Sequence, residues 1–476
     1  MVPTWRLRAA FARRLSAVYG AEVPAYTTLL EVTARINEET VRRDGHPGHL
    51  GGLDRVTAER HGAIRVGTPH ELHQAATVFA ALGMHPVGFY DLRDGPGAVP
   101  VVSTAFRPLD AEELERNPFR VFTSLLTPDD RRFFDADLAR RLGTFLGRRT
   151  LFPPELLTLA ARAEDGGGLP DADADRFLAL ATEAFALSAE PVDRAWYEEL
   201  SQVSAVAADI GGVTTTHLNH LTPRVLDIDA LYRRMTDHGI TMIDRIQGPP
   251  CWDGPDVLLR QTSFRALAEP RAFREVDGRV TDGTLRVRFG EVEARGIALT
   301  RTGRARYDAL TAETDHRTAD PGGSAADHAA TARAVWEAGF PRTERQLAAD
   351  GLAFFTYAPA LTRPRDGRRP PDDLAGLLDH GWLTAHPIVY EDFLPRSAAG
   401  IFRSNLTRDT TRDTTRDTTR DADRTAAPYD ADRLAAALDR PVHDPFARYA
   451  DRSFTTLRRA RRALGLDLGT TSEESA

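Results

Sequence analysis

The chain contains no lysine, so all 61 of its basic residues are arginine. That bias is compositional and carries no functional reading. Cysteine is nearly absent as well. Cys251 stands alone, which excludes an internal disulfide and any multi-cysteine zinc or iron–sulfur site. Metal chemistry, if there is any, falls to histidine and carboxylate. No apolar run is long enough to cross a bilayer, and no transmembrane segment is expected. The arginine-rich N-terminus (Trp5, Leu7, Ala9, Phe11, Leu15) resembles a transit peptide in composition. It lacks the apolar stretch and small-residue cleavage pattern of a secretory signal, so it reads as a surface helix of a cytoplasmic protein. There is no excess of positive charge either. The formal net charge is −8, and neither nucleic acid nor anionic lipid is an expected partner. A nucleotide-binding glycine pattern between strand and helix is also missing.

What is present is a repetition. His61-Gly-Ala-Ile-Arg65-Val66 returns as His220-Leu-Thr-Pro-Arg224-Val225, and Thr104-Ala-Phe-Arg107 returns as Thr262-Ser-Phe-Arg265. His61 precedes Thr104 by 43 residues and His220 precedes Thr262 by 42. Two matches at nearly equal spacing indicate a duplicated unit, with one histidine at the same strand position in each copy.

At 476 residues, 42% hydrophobic and 27% charged, the chain is ordinary globular protein with room for about two to four domains. Residues 1–54 read as helical, with Leu7, Phe11, Leu15 and Val18 at helical spacing. Residues 55–127 read as a βαβββ module. Its first strand is His61–Gly67, and Thr68-Pro69-His70-Glu71 then opens a helix through a capping box. Leu72, Ala75, Ala76, Phe79 and Leu82 form that helix's apolar face, and Gly83 suits its end. Strands over Pro86–Leu92, Pro100–Phe106 and Phe119–Leu126 complete the unit. Residues 128–210 read as a helical connector. There Asp171, Asp173 and Asp175 imitate a calcium loop but lack its glycine and distal glutamate, which leaves a helix cap. Residues 211–305 repeat the module: strand His220–Leu226, a helix capped by Asp227 or Asp229, then strands Ile240–Ile246, Val257–Phe264 and Leu285–Ile297. Residues 306–476 form an α/β extension. Within it, Thr407–Arg420 repeats Thr-Arg-Asp-Thr with no apolar residue, and 407–424 is expected to be a disordered insertion.

His61 and His220 are the candidate metal ligands, because matched positions in paired modules can converge on one ion. His217 is a rival for His220; it lies three residues earlier and is expected on the opposite strand face. The last strand of the second module supplies Glu291 and Glu293, two apart and on one face. Its counterpart Phe119–Leu126 has no carboxylate, which suits one metal rather than two. Two histidines and one carboxylate with open positions are the arrangement of non-haem Fe(II) oxygenases. The plain alternative is a strand glutamate paired with Arg286, Arg288 or Arg295. Arg65 and Arg224 each follow their histidine by four residues, on the same strand face. Either can clamp a substrate carboxylate or make a structural salt bridge. Thr104, Gln261 and Thr262 on the inner strands can face a cavity or satisfy the core.

These segments resemble the 2-oxoadipate dioxygenase/decarboxylase family of the vicinal oxygen chelate superfamily. The resemblance is carried by Arg60–Arg65, Ser103–Pro108, Asn219–Asp227, Leu259–Phe264, Arg288–Glu293, Tyr390–Pro395 and Ser397–Phe402, and it runs from Trp5 to about Leu406. It implies an α+β fold in which two βαβββ modules form a curved sheet around a metal cavity. It implies Fe(II)-dependent conversion of 2-oxoadipate and O₂ to D-2-hydroxyglutarate and CO₂ in lysine catabolism. The implied iron ligands are His61, His220 and one of Glu291 or Glu293. Arg65 is implied as the substrate carboxylate clamp, with Arg396 and Ser397 also touching substrate. Family members commonly carry a small apolar residue where Arg396 stands. Two other readings of such a scaffold are a metalloenzyme of another kind (a glyoxalase-like isomerase or ring-cleaving dioxygenase) and a binding protein without metal. The oligomeric state is not legible in the sequence.

Overall fold

The computed structural model describes residues 1–44, 52–94, 97–286, 288–318, 325–394 and 428–466. The insertion at 407–424 and the substrate-contact candidates Arg396 and Ser397 lie outside the described residues.

The fold is mixed α+β. The helices Thr4–Glu22 and Pro24–Asp44 open the chain, and Leu7, Phe11, Leu15 and Tyr19 bury one face of the first at helical spacing. A five-stranded sheet forms the centre. Its spatial order is His85–Asp91, Val101–Arg107, Phe119–Leu126, Arg60–Val66 and His220–Pro223. The apolar alternation read from the sequence meets these bounds closely. The helix Pro69–Ala80 starts as expected: Thr68 Oγ1 accepts from the Glu71 amide at 3.1 Å, and the Glu71 carboxylate accepts from the Thr68 amide at 3.2 Å.

The His61 strand pairs in parallel with Phe119–Leu126 and antiparallel with His220–Pro223. Beyond Pro223 the same strand turns to a different neighbour. Arg224 bridges Glu293 in parallel, and the Val225 amide donates to the Glu293 carbonyl at 2.8 Å. Glu291–Arg295 then pairs antiparallel with Leu259–Ser263. Each histidine-bearing strand therefore lies parallel to the last strand of its own copy. The two histidine strands also lie side by side.

Two strand readings need correction. Ile240–Ile246 is not a continuous strand; it makes the isolated bridge Met242–Phe264, and a second bridge, Gln247–Gln261, follows just beyond it. Ile243 bonds Ser263 while Gln247 bonds Gln261, so four residues run against two and the excess bulges out. The expected strand Leu285–Ile297 is really two pieces. Val280–Leu285 folds back on Glu269–Arg274 as a hairpin, and only Glu291–Arg295 joins the inner sheet.

Residues 428–443 are not set apart from the first copy. Leu434 and Leu438 of the helix Ala431–Leu438 enter the main core, and the His443 carbonyl accepts from the Gly88 amide at 2.9 Å. A second core gathers Trp252, Val257–Leu259, Ile297–Leu299, Trp336, Phe355 and Leu383. Asp171 stands at the start of the helix Asp171–Ala184, and Asp173 pairs with Arg162 at 2.6 Å.

Candidate metal centre

Strand pairing brings the two histidines together. His61 lies opposite Thr222, and His220 lies opposite Ala63. Side chains alternate along a strand, so residues two apart share a face and His61 and His220 become diagonal neighbours on it. Their ring centroids are 5.3 Å apart, edge to face. Glu291 comes from the strand on the far side of the His220 strand. It lies 3.4 Å from His61 Nε2 and 3.6 Å from His220 Nδ1. One ligand atom from each of His61, His220 and Glu291 falls within 4.8 Å of the others, and all three residues are buried.

The other candidates go elsewhere. Glu293 Oε2 is 3.2 Å from His61 Nδ1, on the side of the ring away from Glu291. Its two oxygens accept from Arg295 Nε and Nη2 at 2.6 and 3.0 Å. His217 Nε2 lies 3.2 Å from Asp209 Oδ1. Arg65 also donates to Asp209, whose Oδ2 accepts from Asn219 Nδ2 at 2.8 Å. Arg224 donates to Glu59 at 2.9 Å. Gln261 faces the centre, donating to Glu291 Oε1 at 2.6 Å. Thr104 instead bonds the Gly88 carbonyl at 2.8 Å.

The surroundings separate the ionisable groups. Burial opposes a charged His61, but Glu293 and Glu291 outweigh it and raise its pKa. Burial, His61 and Arg65 together push His220 well down, which leaves a neutral imidazole. Burial raises Glu291 against the pull of His61. Burial opposes ionisation of Glu293 too, but Arg295 and His61 bring its carboxyl down to about 2. Glu293 is thus a fixed anion behind His61, placed to hold the ring's orientation as carboxylates do for metal-bound histidines. Thr222 Oγ1 meets His220 Nδ1 at 3.0 Å. Phe393 stands edge-on to the His61 ring at 4.9 Å, and Phe289 stacks on His220 at 5.2 Å. These aromatic faces keep water from the donors.

Behind the centre lies a buried ionic layer. Glu59 takes Arg120 at 2.8 Å, Arg224 at 2.9 Å and Arg295 at 3.3 Å. Glu391 joins Arg55 at 2.7 Å and also holds Arg120. Asp392 receives both ends of the Arg107 fork at 2.7 and 3.0 Å. Sequence reasoning missed Asp209, Glu59, Glu391 and Asp392. Asp209 had a signal: it is the lone charge within the apolar run Val206–Ile210, and a charge there needs a buried partner. Glu391 and Asp392 stand in the resembling segment Tyr390–Pro395, which does not reveal their arginine partners, and Glu59 gave no signal.

The donor set suits a divalent transition ion. Two borderline imidazoles and one hard carboxylate suit a divalent first-row ion, and no thiolate competes. Among the described residues no helix is long and apolar enough to cross a membrane.

Comparison with known proteins places the chain in a family. Residues 11–405 match the family described as 2-oxoadipate dioxygenase/decarboxylase. A protein of that name from Mycobacterium tuberculosis is 57% identical over 446 residues, covering 94% of this chain and 96% of its own length. Another from Pseudomonas putida is 40% identical, covering 97% of each chain. The crystal structure of the hydroxyglutarate synthase from Pseudomonas putida in complex with 2-oxoadipate superposes with a TM-score of 0.78 at 36% identity, covering 98% of this chain and 99% of that one.

Proposed function

The chain belongs to the 2-oxoadipate dioxygenase/decarboxylase family, and from that membership we propose that it converts 2-oxoadipate and O₂ to D-2-hydroxyglutarate and CO₂ with a non-haem Fe(II) ion. His61, His220 and Glu291 are its ligands, and Glu293 is the carboxylate that orients His61. The observation that supports this most is the convergence of those three ligands where the two histidine strands meet. In this reading the copies at 55–127 and 211–305 are two modules curved around one metal cavity. The helical segment 1–54, the connector 128–210 and the extension 306–476 surround them. The enzyme serves lysine degradation in the cytoplasm.

Bound Fe(II) would supply Lewis acidity to the 2-oxo acid and one-electron chemistry to O₂. The chain's own residues do the rest. Arg65 meets the distal carboxylate of the substrate; a guanidinium has five N–H donors and can hold Asp209 and a second carboxylate together. Asp209 fixes the direction of that fork. Glu293 keeps His61 Nδ1 engaged, so Nε2 faces Glu291. Phe289 and Phe393 exclude water from the reacting end. On the family resemblance, Arg396 and Ser397 add further substrate contacts.

The test is anaerobic Fe(II) loading, followed by O₂ and CO₂ stoichiometry over a series of 2-oxo diacids. We expect one O₂ consumed and one CO₂ released per 2-oxoadipate. Turnover without O₂ uptake would replace this reading with a glyoxalase-like isomerase, and 2-oxoadipate binding with neither iron binding nor turnover would replace it with a binding protein without metal.

A further inference from the structure

A second cavity lies away from the metal centre, between the connector and the outer hairpin. It encloses about 710 Å³, the size of a small-molecule site. Five arginines line it: Arg141, Arg148 and Arg149 from the connector, and Arg271 and Arg274 from the hairpin strand. Nearly every other arginine on this surface has an acidic partner; Arg141, for example, pairs with Asp137 and Glu199. Arg148, Arg271 and Arg274 have no ion pair among the described residues. The Arg271 Nε is buried without a hydrogen-bond partner, and so is the Thr215 hydroxyl on the same cavity. Burial and the neighbouring Arg288 disfavour the charge on Arg271, and the more weakly felt Glu269 and Glu22 offset them only in part. The carboxylates on the lining do not supply the missing partners. Glu190 accepts from Thr214 at 2.9 Å, and Asp193 caps the helix Arg194–Val203. A half-buried guanidinium without an ion pair and an unsatisfied hydroxyl on one cavity are costly unless a ligand completes them, and an anion suits the guanidinium.

The cavity wall is continuous with the grip on Arg65. Gly212–Thr215 line the cavity and directly follow the helix Ala205–Gly211, which carries Asp209. Arg149 pins this stretch from the cavity side, donating to the carbonyls of Ile210 at 2.6 Å and Val213 at 3.0 Å. Thr216, the next residue, donates its hydroxyl to the Arg65 carbonyl at 2.8 Å.

We propose that this cavity is a second binding site, for a small polyanion of the phosphate-ester or polycarboxylate class, and that its occupancy shifts the position of Arg65 through residues 209–216. The link to Arg65 rests on the function proposed above; the binding does not. Two sites joined by one segment have a reciprocal coupling free energy.

Calorimetry on the full, metal-free chain without substrate tests the binding, with citrate and pyrophosphate as separate probes. We expect saturable one-site binding of at least one probe, and the tighter one assigns the class. Arg271→Gln combined with Arg274→Gln should weaken it about tenfold or more. Arg233→Gln removes the same kind of charge from a remote exposed position and should leave it unchanged. Arg148→Gln alone provides the same test if the double variant melts early. The link is tested by KM for 2-oxoadipate, which a saturating probe should change in wild type and not in the double variant. Absence of saturable binding, or equal weakening by Arg233→Gln, overturns the site. An unchanged KM with binding intact overturns the link. Because binding is read without turnover, its failure is distinct from failure of the dioxygenase reading.

Discussion

The two copies of the repeated unit have diverged in opposite directions. The first kept its architecture: four strands in full register, with only one irregularity, between Val87 and Tyr90. The second lost a strand to a bulge and gained an outer hairpin, yet it holds both carboxylates of the centre. Register shows what changed. Arg65 pairs with Ser124 in the first copy, and Arg224 pairs with Glu293 in the second. Ser124 is therefore the counterpart of Glu293, and Phe122, two residues earlier, is the counterpart of Glu291. Phe122 packs on Phe393 at 5.1 Å instead of facing the centre with charge. At matched positions, one strand thus forms a wall and the other supplies a ligand. The three ligands are therefore shared unequally, with His61 from the first segment and His220 and Glu291 from the second.

The largest effects should come from removing that asymmetry. His220→Ala or Glu291→Ala should abolish both iron binding and turnover, measured by metal content and O₂ uptake. Glu293→Gln should retain iron but bind it about 10–100-fold more weakly, the usual cost of losing a carboxylate behind a ligating histidine. If Glu293→Ala emptied the site while Glu291→Ala left it filled, the two roles would be exchanged.

Next is the ionic layer beneath the centre, which joins the copies through Arg120 of the first and Arg224 of the second. Glu59→Gln leaves buried arginines short of an anion and should cost about 3–5 kcal/mol of stability, read by urea unfolding. Its pH dependence has a definite sign. Burial opposes ionisation of Glu59, but Arg224, Arg120, Arg55 and Arg295 prevail and hold its pKa well below the ordinary carboxylate value. Its contribution is therefore complete above the unfolded pKa and disappears as pH falls toward the folded one. Wild-type stability should fall on acidification below about pH 4.5, and Glu59→Gln should lose less over the same interval.

Arg65 and Arg224 sharpen the comparison further, because the same repeat position has two partners. Arg65→Ala should lower kcat/KM on 2-oxoadipate by about 2–4 kcal/mol and affect a mono-acid such as 2-oxohexanoate much less. It should also lower the melting temperature, since it strands the buried Asp209 that it holds. Arg224→Ala should reduce stability and affect both substrates alike. Equal losses on both substrates in Arg65→Ala would make Arg65 a structural ion-pair residue. The smallest effect belongs to deletion of Thr407–Arg420. With no apolar residue to bury, its removal should leave melting temperature and iron affinity nearly unchanged.

The legible parts of this fold were those with a local cause. The capping box at Thr68 and Glu71 acts within one turn, and the run Phe119–Leu126 is apolar enough to declare a buried strand. The hairpin Glu269–Leu285 was missed because its strands are mostly exposed, and Val280 and its neighbours carry no clean alternation. The bulge at 243–247 was missed because it depends on the length of the opposing strand. Among the site residues, the histidines were legible through repetition. Glu59, Glu391 and Asp392 were not, since their arginine partners come from up to hundreds of residues away.

By itself, the sequence determined that one histidine sits at a matched place in each of two units, that only the second unit ends in carboxylates, and that no thiolate can compete for a metal. Those facts follow from residue type and spacing, which folding does not alter. The tertiary structure decided which glutamate meets both histidines, that His217 turns to Asp209, and that Arg65 and Arg224 serve different acids. Each of those outcomes depends on register between strands distant in the chain. A shift of one residue turns every side chain to the other face, so such contacts are set only when the strands pair.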